Sequence, residues 1–102
     1  MKLLFLNLLF LTWILSPHAG AYLVNGEMLL SDIEKRSAAA AGYVEGVTDT
    51  LNTTLFCIPA GTGTSQLKAA VKDYLVNNPA LSAQPAAHLV STALKASFPC
   101  DE

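Results

Sequence analysis

Cys57, Cys100 and His88 are the residues from which a nucleophilic site could be assembled. A thiolate nucleophile must stay reduced and needs a base within hydrogen-bond reach, which His88 would have to supply. The same three residues could in principle ligate a metal, but their spacing matches no zinc pattern. Glu45 and Asp49 stand four apart and share one face of a helix. Paired carboxylates can perform acid–base chemistry, yet nothing in the flanking sequence would desolvate them, so they read as a solvated face. Gly61-Thr62-Gly63-Thr64-Ser65 has the composition of a phosphate loop, but it lacks the lysine of the nucleotide-binding motif and follows no strand. It reads as a flexible connector. Asn52-Thr53-Thr54 is a formal glycosylation sequon, meaningful only in a eukaryotic secretory route. His88 reads as a surface residue. These residues make no catalytic set, and no metal or cofactor is expected.

The compartment decides between thiol and disulfide. Lys2 is followed by an apolar run from Leu3 to Leu15, broken by Ser16-Pro17, and Ala19-Gly20-Ala21 has the small-x-small form of a cleavage site. Such a run makes about 20 Å of helix, short of a bilayer core of about 30 Å. Residues 1–21 therefore read as a cleaved signal peptide. The exported protein would begin at Tyr22, with no membrane anchor and a periplasmic destination. Of the 102 residues, 81 then remain, with five Lys/Arg against eight Asp/Glu and a net charge of −3 with His88 neutral. That length supports one modest core. Its weakly acidic balance excludes a nucleic-acid binder, which needs clustered Lys and Arg. Two cysteines in a small exported domain point to a Cys57–Cys100 disulfide.

The elements that would position these residues are all helical. Asn25-Gly26 opens a first segment with Met28, Leu29, Leu30 and Ile33 as its apolar stripe. Ser37 is placed to cap a second helix, in which Tyr43, Val47 and Leu51 recur at i, i+4 and i+8. Gly42 and Gly46 lie on the neighbouring stripe, and each costs a helix up to about 1 kcal/mol. Close approach of another helix backbone would account for them. Phe56 to Pro59 leaves this helix and residues 60–63 form a loop. Thr64 or Ser65 would cap a third helix, with Leu67, Val71 and Leu75 buried, and Asn77-Asn78-Pro79 stops it. Pro85 suits the first turn of a fourth helix carrying Ala86, Leu89, Val90, Ala93 and Leu94. No run alternates with period two. The expected fold is a small all-α, four-helix domain with one disulfide.

From about Gly42 to Cys100 the chain resembles the Rap/Tai family of immunity proteins. The resemblance rests on Gly42-Tyr43-Val44-x-Gly46-Val47-x-Asp49 and Phe56-Cys57-x-Pro59. It continues through Gln66-Leu67, Val71, Tyr74-Leu75 and Pro79, then Leu89-Val90, Ala93-Leu94 and Phe98-Pro99-Cys100. These are small exported bacterial proteins that neutralise peptidoglycan amidase effectors of type VI secretion systems. The resemblance implies an all-helical protein, not an enzyme, that acts by binding. Members commonly carry a second cysteine pair, where this chain has Ser31 or Asp32 in the first helix and Ala40 before the Gly-Tyr element. One crosslink is thus missing.

Two functional classes follow. One is an immunity protein, spanning residues 22–102, that binds and inhibits a cell-wall amidase, with a homodimer as a possible assembly. The other is a general periplasmic factor such as a small acid-stress chaperone, also exported, helical and tied by one disulfide. For an inhibitor, the connector from Pro59 to Ser65, with Gly61, Thr62 and Gly63 at its centre, is the candidate element to enter a cleft. The face carrying Glu45 and Asp49 is the second candidate, able to meet a basic rim on the partner.

Overall fold

The computed structural model describes residues 23–101. The signal-peptide reading of residues 1–21 and the expected start at Tyr22 lie outside them. Four α-helices follow one another: α1 Gly26–Glu34, α2 Ala38–Leu51, α3 Thr64–Asn77 and α4 Ala86–Ser97. A 3-10 turn at Pro79–Leu81 sits between the last two. Among the described residues there is no strand, only two isolated bridges, Asn25 with Pro85 and Asn52 with Phe56. The all-α, four-helix expectation is met.

Local chemistry sets the helix starts. The Asn25 side-chain oxygen accepts from the Met28 N–H at 2.9 Å, and Ser37 Oγ accepts from the Ala40 N–H at 3.1 Å. Each satisfies one of the donors a helix N-terminus leaves open. The third start differs from expectation, because Gly63 is the cap and Thr64 is already helical. Glycine is acceptable in that position. Gln66 supports it by reaching back, its Oε1 accepting from the Gly63 N–H at 2.9 Å.

The core joins Leu29 and Ile33 of α1, Ala40 and Val44 of α2, and Leu67, Val71 and Leu75 of α3. Ala86, Leu89, Val90, Ala93 and Leu94 of α4 complete the helical part, and Phe56 enters from the segment after α2. The expected faces of α3 and α4 are the buried ones. On α2 the fully buried stripe lies beside the one that the spacing marks. Ala40, Val44 and Thr48 are buried there, while Tyr43, Val47 and Leu51 are only half-buried. The helix is turned by one residue, about 100°. Small side chains let α2 lie close to its neighbours, and Thr48 can be buried because its Oγ1 donates to the Val44 carbonyl at 2.7 Å.

The N-terminal segment is clamped to the start of α4. The Gly26 and Glu27 N–H groups donate to the Gln84 and Ser82 carbonyls at 3.1 and 3.0 Å, and the Ala86 N–H donates to the Val24 carbonyl at 2.9 Å. Gly26 is buried in this clamp. A Cβ there would lie 2.5 Å from Leu89 Cδ1 and 3.2 Å from the Ser82 carbonyl oxygen. Leu89 is itself only 1% exposed, so it has little room to move. Gly26→Ala is therefore expected to destabilise by about 1–3 kcal/mol through overpacking, despite the better helix propensity of alanine. Urea denaturation would read this, and a variant as stable as the parent would show that the clamp yields freely.

Candidate functional site

The chain leaving α2 makes two successive turns before α3 begins. In the first, Thr53 adopts a left-handed φ of 70° and its N–H donates to the Phe56 carbonyl at 2.7 Å. Asn52 spans the turn, its Oδ1 accepting from the Ile58 N–H at 2.8 Å. The sequon asparagine thus has a local structural task. In the second turn the Pro59 carbonyl accepts from the Thr62 N–H at 3.2 Å and from Thr62 Oγ1 at 2.7 Å. Gly61 has φ +88°, the conformation that such a turn reserves for glycine at its third position. The Pro59–Gly63 connector is thereby shaped by its own hydrogen bonds.

Both ends of the connector are anchored. Cys57 is bonded to Cys100, with Cα atoms 4.8 Å apart, and no free cysteine occurs among the described residues. The Cys57 N–H also donates to the Phe98 carbonyl at 2.8 Å. At the far end Thr64 Oγ1 donates to Glu45 Oε2 at 2.6 Å, tying the start of α3 to α2. These anchors bring together residues that sequence reading had placed on two separate elements. Glu45 and Asp49 of α2, Asn52 at its C-terminal cap, and Pro59, Thr62 and Thr64 beyond it surround one polar concavity of about 460 Å³. Gly61 and Gly63 are exposed on the connector but do not line it.

A second concavity, of about 560 Å³, runs along the other flank of α2. Its wall is mostly apolar, made by Gly42, Tyr43, Gly46, Val47, Leu51 and Ala87, with Thr50 as its hydroxyl-bearing member. Here the sequence-based account of the glycines is corrected. A Cβ on Gly42 or Gly46 would meet nothing within 4 Å, so neither admits a neighbouring helix. They hollow the surface instead, because a stripe without side chains on an exposed helix face leaves a trough. Tyr43 stands in its wall, and burial pushes its phenol above the ordinary value against the opposing effect of a backbone hydrogen bond at Ala87. Periodicity places Tyr43, Val47 and Leu51 on one helix face but does not show that this face borders a groove.

His88 is exposed on α4, and its carbonyl accepts from Thr92 Oγ1 at 2.9 Å. Both cysteine sulfurs are consumed in the disulfide. Among the described residues no three His, Cys, Asp or Glu side chains gather as a metal site. No described helix is long and apolar enough to cross a membrane.

The family model of the Rap1a immunity proteins matches this chain over residues 25–100. The chain belongs to that family. The matched span runs from the cap of α1 to the second cysteine, so it contains the connector, the disulfide and both flanks of α2. No curated protein matches the chain. Membership in an immunity family implies that the chain works by binding a partner effector protein.

Proposed function

We propose that this protein is an exported immunity factor that binds and inhibits a peptidoglycan amidase effector of type VI secretion in the periplasm. The observation that carries the proposal is the convergence of the connector and the acidic face on one concavity. A turn anchored at both ends presents little conformational entropy to lose on binding. The carboxylates of Glu45 and Asp49 beside it suit a basic rim around a partner's cleft. The disulfide supports export, since such bonds persist in oxidising compartments. Membership in the Rap1a immunity proteins supports a binding role.

The test pairs the exported form with the amidase encoded beside it, following affinity and peptidoglycan cleavage. Asp49→Lys is expected to weaken binding by about tenfold or more, mainly through a slower, less salt-dependent association. Ala60→Trp, which adds bulk at the exposed turn without disturbing Gly61, should lower inhibition while leaving the helical circular-dichroism signal intact. Wild-type protein that neither binds nor inhibits that amidase would overturn the reading. The chaperone reading would then be tested by suppression of aggregation at low pH. Light scattering on the same samples would report whether the protein is a homodimer.

A further inference from the structure

We propose that Cys100 is a thiol-exchange site, the sulfur at which an incoming thiolate opens the Cys57–Cys100 bond in the folded protein. The inference does not depend on which effector is bound. Its basis is the unequal burial of the two halves of the disulfide. Cys57 is half-buried and follows the fully buried Phe56, while Ile58 beyond it packs on the core. Cys100 lies beyond the last helix with Pro99 and Asp101 beside it, all three exposed. Exchange requires the attacking sulfur to approach along the S–S axis from the side opposite the leaving group. Attack on Cys100 therefore meets the exposed half of the bond, whereas Cys57 is the half-buried one.

The electron count is simple. A thiolate RS⁻ bonds to Cys100 Sγ, the Cys57–Cys100 bond breaks, and Cys57 departs with the electron pair as a thiolate, which water protonates. A second thiolate attacks the outer sulfur of the mixed disulfide and releases Cys100. Two thiols are oxidised to RSSR, and the protein takes up two electrons and two protons. Opening the bond removes the covalent hold of residues 99–101 on the base of the connector, leaving the hydrogen bond from the Cys57 N–H to the Phe98 carbonyl. Charge selects the thiol. Asp101 follows Cys100 directly, and Glu102 adds a second negative charge in the sequence. Cys57 is flanked by Phe56 and Ile58, which carry none. A cationic thiol is therefore favoured over an anionic one.

The test uses the oxidised, folded protein without denaturant. It is exposed to cysteamine, 2-mercaptoethanol or glutathione at equal thiolate concentration, quenched early with an alkylating agent and mapped by mass spectrometry. The expected product carries the thiol on Cys100 and the alkyl group on Cys57, in excess over the reverse by about tenfold. Cysteamine should react several-fold faster than glutathione, and Asp101→Lys should narrow that difference. Adducts shared equally between the cysteines would show that exchange passes through the unfolded chain and would overturn the proposal, as would adducts mainly on Cys57. An unchanged rate ratio in Asp101→Lys would overturn the assignment of the charge selection to this carboxylate.

Discussion

Replacing Phe56 with alanine will lower the unfolding free energy by about 3–5 kcal/mol, the range for truncating a fully buried aromatic ring. Phe56 is 0% exposed and heads the fully buried side chains by volume. It belongs to no helix, yet it shares the buried cluster with Val44 of α2, Leu67 of α3 and Leu94 of α4. It lies between the turn closed by the Thr53 N–H and the disulfide at Cys57. Its loss would leave a cavity where helices meet and loosen the base of the connector. Phe56→Leu, which keeps most of the volume, should cost less than about 1.5 kcal/mol if the leucine repacks. Urea denaturation of both variants provides the comparison. A Phe56→Ala cost under about 1 kcal/mol would mean that the site collapses around the smaller residue.

Removal of the disulfide should cost a similar amount for a different reason. The bond joins residues 43 apart in sequence. Closing that loop restricts the unfolded chain by about 4 kcal/mol in the chain-entropy model, within a usual range of about 2–5. The double variant Cys57→Ala with Cys100→Ala is the clean probe, since neither single change then leaves a stray thiol. Against a total stability of about 5–15 kcal/mol for a domain, the loss is large. Thermal unfolding should show a lowered midpoint with native helical signal below it. Titration of the unfolded but unreduced parent should find no thiol, and two free thiols would refute the bond. Phe56 and Cys57 are neighbours, so combining the changes should not give additive costs.

Sequence patterning alone determined the helical class, the approximate span of each helix and the buried faces of α3 and α4. Leu67, Val71 and Leu75, like Leu89, Val90 and Leu94, are large apolar residues at helical spacing with polar residues between them. Burial is the favourable outcome for such a stripe in any helical packing. The cysteine pairing was equally legible, because two cysteines allow one bond. The caps at Asn25 and Ser37 are local, and local signals survive tertiary assembly.

Tertiary structure decided what depends on distances across the chain. The α2 helix has two plausible faces, an aromatic-aliphatic stripe at Tyr43, Val47 and Leu51 and a smaller one at Ala40, Val44 and Thr48. Hydrophobicity favours the first, but close packing of four short helices selects the second, where small side chains fit and Thr48 satisfies its own hydroxyl. The same rotation turned Gly42 and Gly46 outward and made a groove where a helix contact was expected. Gly26 shows the reverse. Nothing in its neighbours marks it as confined, and only the return of Ser82 and Leu89 against it does so. The meeting of Glu45 and Asp49 with Pro59 and Thr62 likewise required the Thr64–Glu45 hydrogen bond and the disulfide, both long-range links. Periodicity reports which residues avoid water, whereas the shape of the surface they leave behind is set by what packs against what.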